Sequence, residues 1–147
     1  MTSLLEALVT ERRALAGARH GDRCARTLIR GPGRTFDAQV SVAAVSRRMG
    51  VEVLESVVVT DKRGPLGIVT FREVQSALLL DSPSRGERAI VQLVTATPCV
   101  SPDASVSQIC RALLTSRQNA VLVLLEEGEL VGVVTSDDVL RYVIASW

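Results

Sequence analysis

The chain has 147 residues, of which 47% are hydrophobic and 22% are charged, and its formal net charge is +1. This length suits one compact domain or two small units that share a core, and the composition excludes disorder as the overall state. The three cysteines lack the spacing of a disulfide framework or a zinc site, and no apolar run resembles a membrane span or a signal peptide, so we expect a cytoplasmic protein with reduced thiols.

The first predicted element is a partly amphipathic helix in a basic segment that we assign to residues 1–27. Ser3 and Glu6 have the spacing of a capping box, and leucines follow at helical intervals. Arginines are in excess here, but Lys62 is the only lysine of the chain and no aromatic residues are interleaved for stacking on bases. We therefore do not expect a nucleic-acid partner, and the helix could pack on its own chain or on another protein.

Next along the chain, the apolar pattern predicts a short extended segment at 34–36, a helix over 37–49 and strands at 56–60 and 66–69 around a polar turn. A second helix follows over 71–80. The polar stretch from residue 81, which contains Pro83 and Gly86, predicts a linker over 81–94 with a possible short helix in its second half.

The same succession of elements returns after the linker. A short extended segment at 99–101 precedes a helix whose apolar residues have the spacing i, i+3, i+4 and i+7, and Asp103 is a plausible cap for it. Strands at 121–125 and 130–134 flank a polar turn, and the pattern then returns to a helix.

These two stretches are copies of one another. Residues 37–70 and 103–135 align with a single-residue gap. Each copy is predicted to form helix, strand, strand and helix, which leaves an apolar sheet face that one copy cannot cover alone. The fold class is therefore α/β (α+β), with the two repeats packed sheet to sheet with pseudo-twofold symmetry and a ligand cleft between them.

Each copy ends its second strand in a short motif, GIVTFREV in the first and GVVTSDDV in the second. The motif resembles that of the CBS domain family, in which a glycine, two apolar residues, a threonine or serine and two variable residues precede an aspartate. Gly132, Thr135 and Asp138 match fully, whereas Glu73 replaces the aspartate of the first copy. A proline that the family often has in the middle strand is missing from both copies. The resemblance implies a CBS domain pair, or Bateman module, with repeats at 28–80 and 95–147.

The chemistry of the second motif suits a nucleoside phosphate. Thr135 ends a strand and begins a helix, so its hydroxyl and the free amides of the first turn are placed for an anion such as phosphate. Asp138, one turn later, can accept hydrogen bonds from both hydroxyls of a ribose. The resemblance implies in addition that the base lies near Ala120, with Thr97 and Val100 along its edge.

The corresponding residues of the first copy are Thr70 and Glu73. Arg72, in the variable part of the motif, and Arg34, before the first strand, could neutralise phosphates, or they could be solvated surface side chains. Both motifs also have the spacing of a capping box, in which the hydroxyl residue and the acidic residue satisfy each other's backbone donors without any ligand. Capping and ligand binding can coexist.

The resemblance implies a regulatory module that senses AMP, ADP, ATP or a related adenosyl ligand and requires no cofactor. It also implies a homodimer formed through the helices at 71–80 and 139–147, and a regulated partner that the sequence does not name. The alternative is a dimerisation or protein-interaction module whose nucleotide site has decayed. We expect no enzyme activity and no metal site, because no nucleophile, metal cluster or acid–base pair stands out.

Overall fold

The computed structural model describes residues 23–29, 33–80 and 85–145 of the chain. They form two compact units, one of Gly33–Ala96 and one of residues 23–29 with 97–145. The predicted N-terminal helix, the first part of the predicted linker and the last two residues of the chain lie outside the described residues. No helix in the described ranges is long and apolar enough to cross a membrane.

Each unit contains one small sheet with helices, which confirms the predicted α/β (α+β) class. The described chain begins with the short helix α1 (Ala25–Leu28). The elements of the first repeat are β1 (Thr35–Asp37), α2 (Val42–Glu52), β2 (Ser56–Asp61), β3 (Gly64–Thr70), α3 (Phe71–Leu80), two 3-10 helices (Arg85–Glu87 and Ile90–Leu93) and β4 (Thr95–Ala96). Those of the second repeat are β5 (Cys99–Val100), α4 (Val106–Ser116), β6 (Ala120–Leu124), β7 (Leu130–Thr135) and α5 (Ser136–Ala145).

The two sheets have the same central arrangement. The first has the order β1-β2-β3-β4 and the second the order β5-β6-β7. In each, a short lead-in strand runs parallel to the first hairpin strand, and the hairpin itself is antiparallel. Both hairpins have a register shift at the same place, directly after the pairs Val59 with Gly67 and Val123 with Gly132. The glycine of each motif therefore lies beside a bulge, where the strand bends.

The first hairpin strand is the buried centre of each sheet. In β2 the side chains of Val57, Val58 and Val59 are at most 1% exposed, and β6 has an equally buried run of three. A strand that is covered on both faces needs apolar residues at successive positions, which is why these runs do not alternate with polar residues. The predicted hairpins are confirmed to within a few residues at their ends.

The helix of the first repeat begins later than its sequence pattern predicts. Ser41 is the N-cap of α2, because its Oγ accepts a hydrogen bond from the amide of Ala44 at 3.1 Å. Asp37, at which the predicted helix begins, is instead the last residue of β1, and its carboxylate accepts a hydrogen bond from the amide of Gln39. An aspartate in such a turn resembles a helix cap in sequence, but it directs the chain into the loop before the helix.

The predicted cap of the second repeat's helix is wrong for a similar reason. Ser105 caps α4, and the side chain of Gln108 accepts a hydrogen bond from the amide of Ser105 in return. The carboxylate of Asp103 forms an exposed ion pair with Arg26 at 3.1 Å. A full capping box satisfies two backbone donors, whereas Asp103 lies too early in the chain to satisfy either of them.

Each repeat packs against a short helix that precedes the other repeat in the chain. Ala25 and Leu28 of α1 belong to the core of the second repeat, and the amide of Ala25 donates to the carbonyl of Ala104 at 2.9 Å. Ile90, which comes just before the second repeat, is fully buried in the core of the first, and its amide donates to the carbonyl of Val40 at 2.7 Å. The described part of the predicted linker is thus packed against the first repeat.

The first helix of each repeat ends in a left-handed residue that is not glycine. Val53 ends α2 with φ 55°, and Arg117 ends α4 with φ 59°. The amide of Val53 donates to the carbonyl of Met49. Left-handed backbone is costly for L-residues and more so for a β-branched one, so Val53 is held in a strained conformation while its side chain is 86% exposed.

Candidate functional site

The strand-to-helix junction of the second repeat is organised by Thr135 and Asp138. The amide and the hydroxyl of Thr135 both donate to Oδ2 of Asp138, at 2.9 and 3.0 Å. The amide of Asp138 donates back to the hydroxyl oxygen of Thr135 at 3.2 Å. Both side chains are partly buried. These reciprocal hydrogen bonds hold the two residues together where β7 ends and α5 begins.

The junction of the first repeat has the same hydrogen bonds although its acidic residue is longer. The amide and the hydroxyl of Thr70 donate to Oε1 of Glu73 at 3.0 and 2.9 Å, and the amide of Glu73 donates to the threonine hydroxyl oxygen at 3.2 Å. The reciprocal hydrogen bonds of a capping box are therefore present in both motifs. One oxygen of each carboxylate is committed to the cap.

The backbone amides at the two helix starts are mostly satisfied within the protein. The first helix amide, of Phe71 or Ser136, donates to a carbonyl directly before the hairpin, of Glu55 or Asn119, each at 2.8 Å. The threonine and acidic amides are used in the capping box. At most one of the first four amides, that of the second helix residue, is therefore left open in either repeat. The prediction of several free amides in the first turn after Thr135 is therefore wrong.

Glu55 and Asn119 were not among the predicted site residues. Each contributes its main-chain carbonyl, which the identity of a side chain does not predict. Their position could have identified them, because each is the residue immediately before a buried strand. Asn119 also accepts a hydrogen bond from the hydroxyl of Ser136 at 3.2 Å. These carbonyls fasten the start of each helix to the start of the neighbouring strand.

Two of the predicted residues of the second repeat are paired across its sheet, because Thr135 is opposite Ala120 in the hairpin. Thr97 lies two residues before β5, in which Cys99 is opposite Leu122. The pair of Thr135 and Ala120 lies beside the capping box, and Asp138 lies one turn into α5 from it. Ala120 is 9% exposed and lies outside the core cluster that contains its neighbour Val121.

Val100 is on the other face of the same sheet. It pairs with Val123, a fully buried core residue, and its own side chain packs against that core cluster. Successive residues of a strand point to opposite faces, so Val100 shares the face of Val121 and Val123, while Ala120 is on the face away from them. The structure brings Ala120, Thr135 and Asp138 to one end of the sheet, with Thr97 in the segment that leads into β5, and sets Val100 apart from them.

The two predicted arginines of the first repeat are in different surroundings. Arg34 is 3.3 Å from the carboxylate of Glu52 and stacks on the ring of Phe36, 5.1 Å from its centroid. Its side chain therefore lies toward α2, so the structure does not bring it together with Thr70. Arg72 is exposed at the second position of α3, and it forms no ion pair within the described residues.

Cys99 is a titratable group near Thr97 whose pKa is clearly shifted. Its thiol lies in the lead-in strand β5 and donates to the carbonyl of Thr97 over 3.6 Å. Partial burial raises the pKa of the thiol, because burial disfavours the charged thiolate. The protonated thiol of Cys99 is therefore favoured over its thiolate. No group of three acidic, histidine or cysteine side chains in the described ranges is placed to hold a metal ion.

Comparison with known proteins gives one family and many similar structures. Residues 90–145 match the model of the CBS domain family. The CBS domain pair of protein MJ0100, solved with 5′-methylthioadenosine and S-adenosyl-L-methionine, is 17% identical, with a TM-score of 0.72, over 85% of this chain and 98% of that one. CBS domain protein PAE2072 from Pyrobaculum aerophilum, solved with AMP, is 17% identical, with a TM-score of 0.70, over 84% and 99%.

A third similar structure is the CBS domain protein TA0289 of unknown function from Thermoplasma acidophilum. It is 21% identical, with a TM-score of 0.71, and the match covers 82% of this chain and 68% of that one. At this level of identity the similarity establishes the fold. No curated protein sequence matches the chain.

Proposed function

Because residues 90–145 match the model of the CBS domain family and the chain has the fold of a CBS domain pair, we propose that it is a regulatory module that binds an adenosine-type ligand at its strand-to-helix junctions. The ligand is AMP, ADP, ATP or a related adenosyl compound, and no further cofactor is needed. CBS domain proteins are generally regulatory rather than catalytic. The solved structures with AMP and with 5′-methylthioadenosine and S-adenosyl-L-methionine support this class of ligand.

The observation that carries the proposal is the placement of Thr135 and Asp138 beside Ala120, with Thr97 in the segment that leads into β5. A carboxylate accepts hydrogen bonds only, so Asp138 suits the two donor hydroxyls of a ribose. Ala120 has a small side chain on the same face of the sheet and leaves room for a flat base. Val100 contributes through the core behind the sheet, by holding β5 in register.

The first repeat offers the matching site at Thr70 and Glu73, with Arg72 beside it. Oε1 of Glu73 makes the cap, and no other hydrogen bond or ion pair of the Glu73 carboxylate exists within the described residues. Its second oxygen is thus available to a ribose hydroxyl. Arg34 would have to leave Glu52 and Phe36 before it could contact a phosphate.

The second candidate function is a dimerisation or interaction module that binds no nucleotide. It is favoured by the capping boxes, which satisfy both acidic residues without a ligand. Exposed apolar side chains near the C-terminal ends of α3 and α5 also suit a protein surface: Leu79 is 78% exposed, Leu80 is 82% exposed and Ile144 is 66% exposed. We propose that these helices form a homodimer in either case, in the cytoplasm, and transmit the state of the module to a regulated partner.

Titration calorimetry of the purified protein with AMP, ADP, ATP and S-adenosylmethionine tests the proposal. Asp138→Glu is the sharpest variant, because Glu73 shows that glutamate makes the same cap in this fold. If Asp138 binds a ribose, the variant loses about tenfold or more in affinity while its melting temperature changes little. The reverse change, Glu73→Asp, should strengthen binding at the first repeat.

Two outcomes would favour the interaction module. One is a folded protein that releases no heat with any of these ligands, and the other is binding that Asp138→Glu leaves unchanged. Light scattering after size exclusion measures the oligomeric state in the same samples, and Leu79→Glu with Leu80→Glu should convert the proposed dimer into a monomer.

A further inference from the structure

Each helix start leaves at most one of its first four backbone amides for an anionic ligand, and this amide belongs to the second helix residue. The other three amides of each start donate to protein acceptors at 2.8 to 3.2 Å. A helix start that binds phosphate normally presents several amides at once. With at most one amide open, attraction or repulsion by the side chain of the same residue strongly affects which charged ligands bind.

This residue is Arg72 in the first repeat and Asp137 in the second. Both side chains are exposed, and neither forms an ion pair within the described residues. The next residue is acidic in both repeats. The first turn of α3 therefore carries one positive and one negative side chain, whereas the first turn of α5 carries Asp137 and Asp138, both negative.

Two carboxylates oppose a phosphate more strongly than one open amide attracts it. A phosphate near the start of α5 would lie within several ångströms of both carboxylates, and like charges at that range repel even in a partly solvated site. At the start of α3 the guanidinium of Arg72 would attract the same phosphate. The two repeats thus offer opposite electrostatic surroundings to the same group.

Resting on the proposed function, we infer that the two repeats select different adenosyl ligands by the charge of the 5′ substituent. The second repeat takes an adenosyl compound whose 5′ group is uncharged or positive, such as a thioether or a sulfonium. The first repeat takes one whose 5′ group is a phosphate. Asp138 and Glu73 keep the same roles at the ribose, so the residue before each of them sets the selection.

A simpler role for Asp137 is stabilisation of α5, because acidic residues in the first turn interact favourably with the helix dipole. The two roles give different results on substitution. A purely stabilising Asp137 affects the melting temperature and leaves the order of ligand affinities unchanged. A selecting Asp137 changes that order.

The experiment is calorimetric titration of the full chain at low salt with AMP, 5′-methylthioadenosine and S-adenosylmethionine. The variants are Asp137→Asn, Asp137→Arg and the matched Arg72→Asp. We expect the second repeat of the unaltered chain to prefer 5′-methylthioadenosine over AMP. Asp137→Arg should raise its affinity for AMP about tenfold, Asp137→Asn about threefold, and both should leave the affinity for 5′-methylthioadenosine within about twofold. Arg72→Asp should weaken AMP binding at the first repeat by about tenfold.

Assignment to a repeat uses Asp138→Glu, which weakens only the binding of the second repeat. The inference is overturned if AMP binding that Asp138→Glu weakens is tighter than thioether binding in the unaltered chain, or if Asp137→Arg leaves AMP affinity unchanged. If the proposed function is wrong, the result is distinguishable, because no adenosyl compound of any charge then binds the unaltered chain. That result would also overturn the inference.

Discussion

The two repeats build the same hydrogen bonds at their strand-to-helix junctions from different residues. After the shared threonine, the first repeat continues with Phe71, Arg72 and Glu73, and the second with Ser136, Asp137 and Asp138. The capping distances nevertheless agree within about 0.1 Å. Glutamate and aspartate are thus interchangeable as caps here. The difference between the repeats lies in what their side chains offer to a ligand, and the capping geometry alone does not distinguish them.

The largest expected loss of stability comes from substitutions in the two short helices, and these substitutions test which repeat each helix stabilises. Ile90→Ala should lower the free energy of unfolding by about 2 to 5 kcal/mol, because it leaves a cavity in a fully buried site. The loss should appear in the first repeat, although Ile90 directly precedes the second in the chain. Hydrogen exchange resolved by residue measures this, with faster exchange expected in β2 and β3.

Leu28→Ala is the matched change for the other repeat. Leu28 is 9% exposed in the core cluster of the second repeat, so we expect a loss of about 2 to 3 kcal/mol and faster exchange in β6 and β7. Faster exchange in the first repeat instead would contradict the packing described above.

A smaller loss of stability is expected when the N-cap of α2 or of α4 is removed, and the two losses can be compared. Ser105 takes part in a full capping box with Gln108, whereas Ser41 makes a single side-chain hydrogen bond. Ser105→Ala should therefore cost about 1 to 2 kcal/mol and Ser41→Ala about 0.5 to 1 kcal/mol. Urea unfolding of both variants gives the comparison, and equal losses would show that the reciprocal bond from Gln108 contributes nothing.

Glycine at the two left-handed positions should stabilise the protein. Val53→Gly removes backbone strain at φ 55° and should raise the free energy of unfolding by about 0.5 to 1 kcal/mol, after the entropy that glycine adds to the unfolded chain. Arg117→Gly should gain less, because arginine is not β-branched. Thermal unfolding measures both, and a lower melting temperature for Val53→Gly would mean that the exposed valine side chain has a stabilising contact.

The smallest effect concerns one ion pair in each unit. Arg34 contacts both Glu52 and the ring of Phe36, whereas Arg26 contacts Asp103 with both side chains largely exposed. Arg34→Ala should cost about 0.5 to 1 kcal/mol, and Arg26→Ala less than about 0.5 kcal/mol. Repeating the unfolding at high salt should shrink both losses, and an unchanged loss for Arg34 would indicate packing rather than charge.

The sequence was sufficient for the repeats, the hairpins and the junction motifs, because continuous apolar runs and the Gly-x-x-Thr spacing are strong local signals. It was insufficient for the helix starts, since Asp37 and Asp103 also resemble caps and only the folded chain shows that Ser41 and Ser105 hold those positions. The face of Val100 could not be read because β5 has two residues, too few to show alternation. Thr135 and Asp138 could be singled out, but the amide of Ser136 between them is satisfied by the main-chain carbonyl of Asn119, which has no sequence signature.

The pairing of α1 with the second repeat has a consequence for synthesis of the protein. Ala25 leaves the ribosome long before Ala104, to whose carbonyl its amide donates. At common elongation rates the delay is roughly 4 to 16 seconds, far longer than a small unit needs to fold. The first repeat can be complete once β4 (Thr95–Ala96) has emerged, while Ala25 and Leu28 still have no core to enter. We expect α1 to remain accessible to chaperones and proteases on the nascent chain until translation is nearly finished.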